Sequence, residues 1–103
     1  MSNYSKNIWF NGRLTPFEKA KIHVLSHCIH YGTGVFEGIK CYKTPKGPAV
    51  FKLKEHIDRL YTGLKILRIP LETTPLEMEN ACYEVIEANK PFFEQIIDGP
   101  QQI

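Results

Sequence analysis

Residues 26–42 read SHCIHYGTGVFEGIKCY. The second half, GVFEGIKCY, is spelled like a strand. Side chains alternate across a strand, so Phe36, Gly38, Lys40 and Tyr42 share one face, while Val35, Glu37, Ile39 and Cys41 share the other. The first face sets a ring, a bare backbone position and a cation in a row. Such a surface suits a flat, charged ligand, because Gly38 lets a ligand approach the backbone and Lys40 can pair with an anion. It equally suits an ordinary strand with a bulge at Gly38 and a solvated Lys40. From the pattern alone, the ordinary strand is favoured.

Upstream, Ile8-Trp9-Phe10, Asn11-Gly12 and Arg13-Leu14-Thr15 spell a tight hairpin, since Asn-Gly tolerates the positive φ angles of a type I′ turn. Pro16 closes it, and residues 17–22 carry no clear pattern. Residues 23–31 form a short helix or a loop, and Gly32-Thr33-Gly34 gives a flexible entry to the strand. Downstream, Pro45, Gly47 and Pro48 mark a turn, with Ala49-Val50-Phe51 as the returning strand.

The period then changes. Leu53, Ile57, Leu60, Leu64 and Leu67 recur at steps of four and three, the apolar stripe of a helix that ends at Pro70. Thr74-Pro75-Leu76-Glu77 combines a capping-box spacing with proline at the first helical position. Met78, Cys82 and Val85 follow on one face of a second helix, which runs to about Asn89. Strands first and helices after predict an α+β domain: a small antiparallel sheet covered on one face by two helices. That domain is expected over residues 1–90. Residues 91–103 show no period and are expected to be a divergent, poorly ordered tail.

Composition narrows the function classes. A chain of 103 residues forms one small domain, burying roughly two-thirds of its unfolded surface at most. With 43% apolar and 23% charged residues it has the make-up of a folded soluble domain, so global disorder is excluded. The net charge of +2 comes from scattered Lys and Arg, without the basic stripe or spaced aromatics of nucleic-acid binders. No apolar run approaches membrane-spanning length, and MSNYSKNIWF lacks the pattern of a secretory signal. Three cysteines without metal-type spacing point to free thiols in a reducing compartment, and a cytoplasmic location is expected.

His23, His27 and His30, with Cys28 among them, could hold zinc, but they fit no closed four-ligand pattern; hydrogen bonding across a loop or interface accounts for them better, and no metal site is expected. Cys28 lacks an evident oxyanion site and reads as an inert thiol. Gly32-Thr33-Gly34 precedes a strand, where phosphate-cradling loops precede helices. Arg59 flanks the buried stripe of its helix. There a guanidinium can fork onto a phosphate or carboxylate beside the sheet, or form a surface ion pair with Asp58 or Glu55. Tyr31 can offer its hydroxyl to a ligand or simply pack its ring.

Taken together, IWFNG, HYGTGVFEG, the GPAVFKLKEHIDRL run with its HxxRL at His56 to Leu60, and the helix ending near Asn89 resemble the N-terminal small domain of class IV (fold type IV) pyridoxal-phosphate aminotransferases. They are most similar to bacterial branched-chain amino acid aminotransferases. The resemblance covers roughly residues 7–90. It implies that Arg59 grips the phosphate of pyridoxal 5′-phosphate and that Phe36 and Gly38 line the substrate pocket. It further implies that Tyr31 reaches the neighbouring subunit's pocket in a homo-oligomer. Lys40, also on the substrate side, stands where these enzymes commonly carry arginine, which keeps the charge but loses the bidentate fork. The partners implied are branched-chain amino acids and 2-oxo acids.

The resemblance also places the catalytic lysine, which bonds the cofactor and shuttles the proton, in a larger second domain, together with the carboxylate that pairs with the pyridine nitrogen. No residue of this chain is therefore expected to be catalytic. The end, PFFEQIIDGPQQI, does not continue the aromatic-Arg-Pro strand of the family, as in a truncated gene or a shifted reading frame. The alternatives are a non-enzymatic oligomerising interaction domain, or a fragment of a D-amino acid aminotransferase or aminodeoxychorismate lyase.

Overall fold

Two consecutive residues with positive φ, Asn11 at 51° and Gly12 at 86°, turn the chain between β1 (Asn7–Phe10) and β2 (Arg13–Pro16). This is the hairpin expected from Asn-Gly, with Trp9 opposite Leu14. The computed structural model describes residues 6–91 and 100–102. A single 3₁₀ turn, Phe17–Lys19, occupies part of the segment that showed no pattern. The short helix α1 (His27–Tyr31) follows, and Gly32 at φ 66° ends it by donating its N–H to the Cys28 carbonyl.

The expected strand over 34–42 is displaced towards its C-terminal end. The ladder begins at Lys40, as β3 (Lys40–Thr44), which pairs antiparallel with β4 (Gly47–Val50). Residues 32–39 lie outside any ladder among the described residues. The physical reason is the partner. The β4 register spans Cys41 to Thr44, and the Phe51 N–H adds one bond to the Lys40 carbonyl, so the returning chain reaches no further back. Side-chain alternation nevertheless holds through 34–41, with even positions exposed and odd positions turned inward.

Helix α2 (Leu53–Leu67) buries Leu53, Ile57 and Leu64, while Leu60 is half-buried and Leu67 emerges into solvent. It stops before Pro70, at Arg68, whose left-handed conformation lets the Ile69 N–H reach back to the Leu64 carbonyl. Helix α3 (Pro75–Ala88) starts with the expected box: the Thr74 hydroxyl accepts from the Glu77 N–H, and the Glu77 carboxylate accepts from the Thr74 N–H. Its buried face is the expected one, with Met78 and Cys82 packed against the core. Ala81 and Ile86 are buried on either side of Met78, Cys82 and Val85, which are half-buried.

Ile39, Leu53 and Ile57 form the core, with Val50, Tyr61, Met78 and Cys82 around them; Cys41 and Ile86 extend it through Val50. Both helices therefore pack on the side of the chain that carries the odd positions. The hairpin β1–β2 is a separate two-stranded sheet. It is tied to α3 by the buried Asn89 amide, which accepts from the Asn7 N–H and donates to the Asn7 carbonyl. Within the expected tail, β5 (Pro100–Gln102) pairs antiparallel with β3, so β3 lies between β4 and β5. The remainder, 92–99 and 103, falls outside the described residues.

Candidate functional site

The site is built where residues 35–39 cross the first three turns of α2. Odd residues face the helix and meet it in descending order. Val35 lies over Gly63, where an added Cβ would sit 3.1 Å from the Val35 Cγ1, and Ile39 packs on Leu53 and Ile57. Glu37 falls between these two apolar contacts. Its side chain is only 8% exposed, so its charge requires partners. α2 supplies two. Arg59 donates from Nε to Oε2 and from Nη2 to Oε1, both at 2.8 Å, and His56 Nδ1 lies 2.7 Å from Oε1.

Position explains the choice of partners. His56 and Arg59 are three apart, hence on one face of α2, to one side of the buried stripe that Leu53, Ile57 and Leu64 form. The hydrogen bonds from Arg59 and then His56 pull the Glu37 carboxyl from its ordinary 4.5 down to about 2. Glu37 is thus ionised at neutral pH and can only accept, which places the shared proton on His56 Nδ1. The same bond to Glu37 raises the Arg59 guanidinium further.

Arg59 therefore has an ion-pair partner, and it is neither Asp58 nor Glu55. Asp58 instead accepts from the Lys54 ammonium, 2.9 Å away at the i,i+4 spacing. The guanidinium uses its side-on edge for Glu37 and remains 71% exposed. Of its five N–H groups, two go to the carboxylate, so the end-on fork of Nη1 and Nη2 faces outward. Such a fork fits a phosphate or carboxylate oxyanion.

The other expected site residues lie on the opposite side. Phe36 is 90% exposed, Gly38 and Lys40 are exposed in step with it, and Arg59 meets the ribbon from the helix side, at the residue between Phe36 and Gly38. Tyr31 closes α1 with its ring exposed and 4.6 Å from the His27 ring. The structure thus joins Arg59 to the ribbon through Glu37, and it groups Phe36, Gly38 and Lys40 on one outer face. Glu37 was missed as a site residue. The available signal was an acid among the inward positions Val35, Ile39 and Cys41, where a charge calls for a partner.

The His23 ring accepts the Leu25 N–H at 3.0 Å, a bond within its own loop. Among the described residues no group of three or more His, Cys, Asp or Glu could hold a metal ion. No described helix is long and apolar enough to cross a membrane.

The family pattern of amino-transferase class IV matches residues 34–97. The branched-chain-amino-acid aminotransferase of Escherichia coli (strain K12) is 51% identical over 82 residues, which are 80% of this chain and 26% of that protein. Its counterpart in Pseudomonas aeruginosa is 39% identical over 80% of this chain and 27% of the relative. Among solved structures, the branched-chain aminotransferase of the thermophilic archaeon Thermoproteus uzoniensis with norvaline superposes with a TM-score of 0.79 at 40% identity, over 84% of this chain and 29% of that one. The Escherichia coli enzyme superposes with a TM-score of 0.80 at 49% identity, covering 84% and 29% respectively. The chain thus spans about a quarter of the curated relatives' length.

Proposed function

The chain belongs to the class IV aminotransferase family, and from that premise we propose that its residues form the phosphate grip and part of the substrate wall of a branched-chain amino acid transaminase. The reaction moves an amino group between leucine, isoleucine or valine and 2-oxoglutarate. The observation that carries the reading is the guanidinium of Arg59, held at the ribbon with its fork outward. Pyridoxal 5′-phosphate, when bound, supplies the electron sink for the amino transfer. Arg59 fits its phosphate, as a planar cation with three N–H groups to spare.

On the outer face, Phe36 and the bare backbone at Gly38 border the side-chain pocket. An apolar wall there favours aliphatic side chains by about 0.8 kcal/mol per buried methylene. Lys40 attracts carboxylates to the same face as a point charge, and Tyr31 serves the pocket of a second copy in a homo-oligomer. The reacting amine is supplied from outside these 103 residues. Every lysine among the described residues is exposed, whereas a lysine that acts as a nucleophile needs desolvation to lose its proton near neutral pH.

Titration of the chain with pyridoxal 5′-phosphate and with pyridoxal, followed by tryptophan fluorescence, tests the grip. Tighter binding of the phosphorylated form, abolished in Arg59→Ala, is expected; equal binding of the two forms would overturn it. Transamination of leucine by this polypeptide alone would overturn the placement of the reacting amine.

A further inference from the structure

An arginine on a helix surface sweeps a wide volume, and a grip that must be ordered on arrival of its anion binds weakly. Arg59 is not left to sweep. Glu37 takes its side-on edge with two hydrogen bonds of 2.8 Å, and His56 holds the same carboxylate at 2.7 Å, so Glu37 cannot turn without losing a bond. Val35 against Gly63 and Ile39 on Leu53 and Ile57 fix the ribbon on either side of Glu37. The carboxylate is thus held from three directions, and the guanidinium plane is held by the carboxylate.

We propose that Glu37, braced by His56, is a positioning residue that locks Arg59 side-on so that its end-on fork is preset for a phosphate monoester. The proposal rests on the reading of Arg59 as the phosphate grip. It opposes what charge alone dictates. A carboxylate beside an incoming dianion repels it and competes for the guanidinium, so by Coulomb's law removing Glu37 would tighten phosphate binding. Preorganisation gives the opposite sign. The two edges of the guanidinium are separate, and the side-on pair leaves the end-on fork unobstructed.

The test uses the full chain, inorganic phosphate and pyridoxal 5′-phosphate as probes, and ¹⁵N spectra of the Arg59 Nε–H as a readout that needs no ligand. Glu37→Gln is expected to weaken phosphate binding by roughly three- to tenfold, and Arg59→Ala by at least about tenfold. The double variant should bind no worse than Arg59→Ala, because Glu37 acts only through the guanidinium. The Nε–H should exchange slowly in the wild type, fast in Glu37→Gln and at an intermediate rate in Glu37→Asp, which keeps the charge on a shorter stem. Phosphate binding by Glu37→Gln as tight as wild type or tighter, with Arg59→Ala still weakened, would overturn the positioning role and leave the grip intact. Unchanged Nε–H exchange in Glu37→Gln would do the same. Arg59→Ala binding phosphate like the wild type would overturn the grip itself and the positioning role with it. Should Glu37→Gln fail to fold by circular dichroism, the exchange rate in Glu37→Asp decides: a wild-type rate overturns the proposal and a faster one supports it.

Discussion

Residues 35–39 and β3 follow one another on a single extended stretch, yet they are held in different ways. β3 is secured by backbone hydrogen bonds to β4 and β5, with the buried Cys41 joining it to the core. Residues 35–39 belong to no ladder among the described residues, and three odd side chains reaching α2 hold them instead. The difference teaches where sequence can adjust a site. Changing a side chain on a laddered strand leaves the backbone where it was. Changing one of the inward side chains Val35, Glu37 or Ile39 moves the whole segment and whatever its outer face presents.

The sharpest way to break the contrast is at its apolar anchor. Ile57 is 1% exposed and packs against Ile39 and Leu53. Ile57→Ala should cost about 2–5 kcal/mol in urea unfolding, the range for a buried large-to-small change. Amide exchange should speed up in 35–39 before it does in β3. Equal acceleration in both would show that the two halves are one cooperative unit.

A smaller effect comes from the polar anchor, through pH. The Glu37 carboxyl is lowered in the folded chain to about 2 from 4.5. The stability it contributes is therefore complete above about pH 4.5 and is lost as pH falls towards 2. The melting temperature of the wild type should fall across that window more steeply than that of Glu37→Gln, and parallel curves would remove Glu37 from the anchor. Since Arg59 is largely exposed, the effect should stay below that of Ile57→Ala.

Smaller again is Gly63→Ala. Alanine in a helix interior is worth about 1 kcal/mol over glycine, but its methyl group would stand 3.1 Å from a branched Val35 carbon that cannot rotate away freely. The two terms should nearly cancel, leaving a net loss of a few tenths of a kcal/mol. The helix gain should reappear when Val35→Ala is added. A clear stabilisation by Gly63→Ala alone would mean that Val35 does not lean on the helix.

What was legible in the chain follows the same division. Asn11-Gly12, the Thr74 to Glu77 box and the leucine stripe of α2 are local signals whose cause and effect lie within a few residues, and all three form as their residue types dictate. The face assignment in 34–41 was legible too, because alternation needs only extended backbone. The start of the ladder was not, since it depends on how far β4 reaches. Nor was the partner of Arg59, which sits 22 residues away at Glu37 while two acids lie within four positions on its own helix. The face of α3 was legible as well, since Met78 and Cys82 pack on the core, but apolar spacing did not single out Ala81 and Ile86 beside them as the most buried positions.

The smallest expected effect is also the most discriminating for the site. Phe36 is a large ring with 90% of its surface exposed, placed between Val35 and Glu37, which both face inward. Phe36→Ala removes no contact that the core depends on, so its unfolding free energy should match the wild type within about 0.5 kcal/mol. An exposed aromatic contributes nothing to the fold that would account for it, whereas a ring bordering a ligand gains its burial only when the ligand arrives. The variant should therefore keep its urea midpoint and the phosphate affinity set by Arg59. It should lose the added affinity of N-(5′-phosphopyridoxyl)-leucine over the corresponding glycine adduct, measured by competition. If stability fell by more than about 1 kcal/mol, the ring would belong to the packing and the outer face would no longer be the free half of the pair.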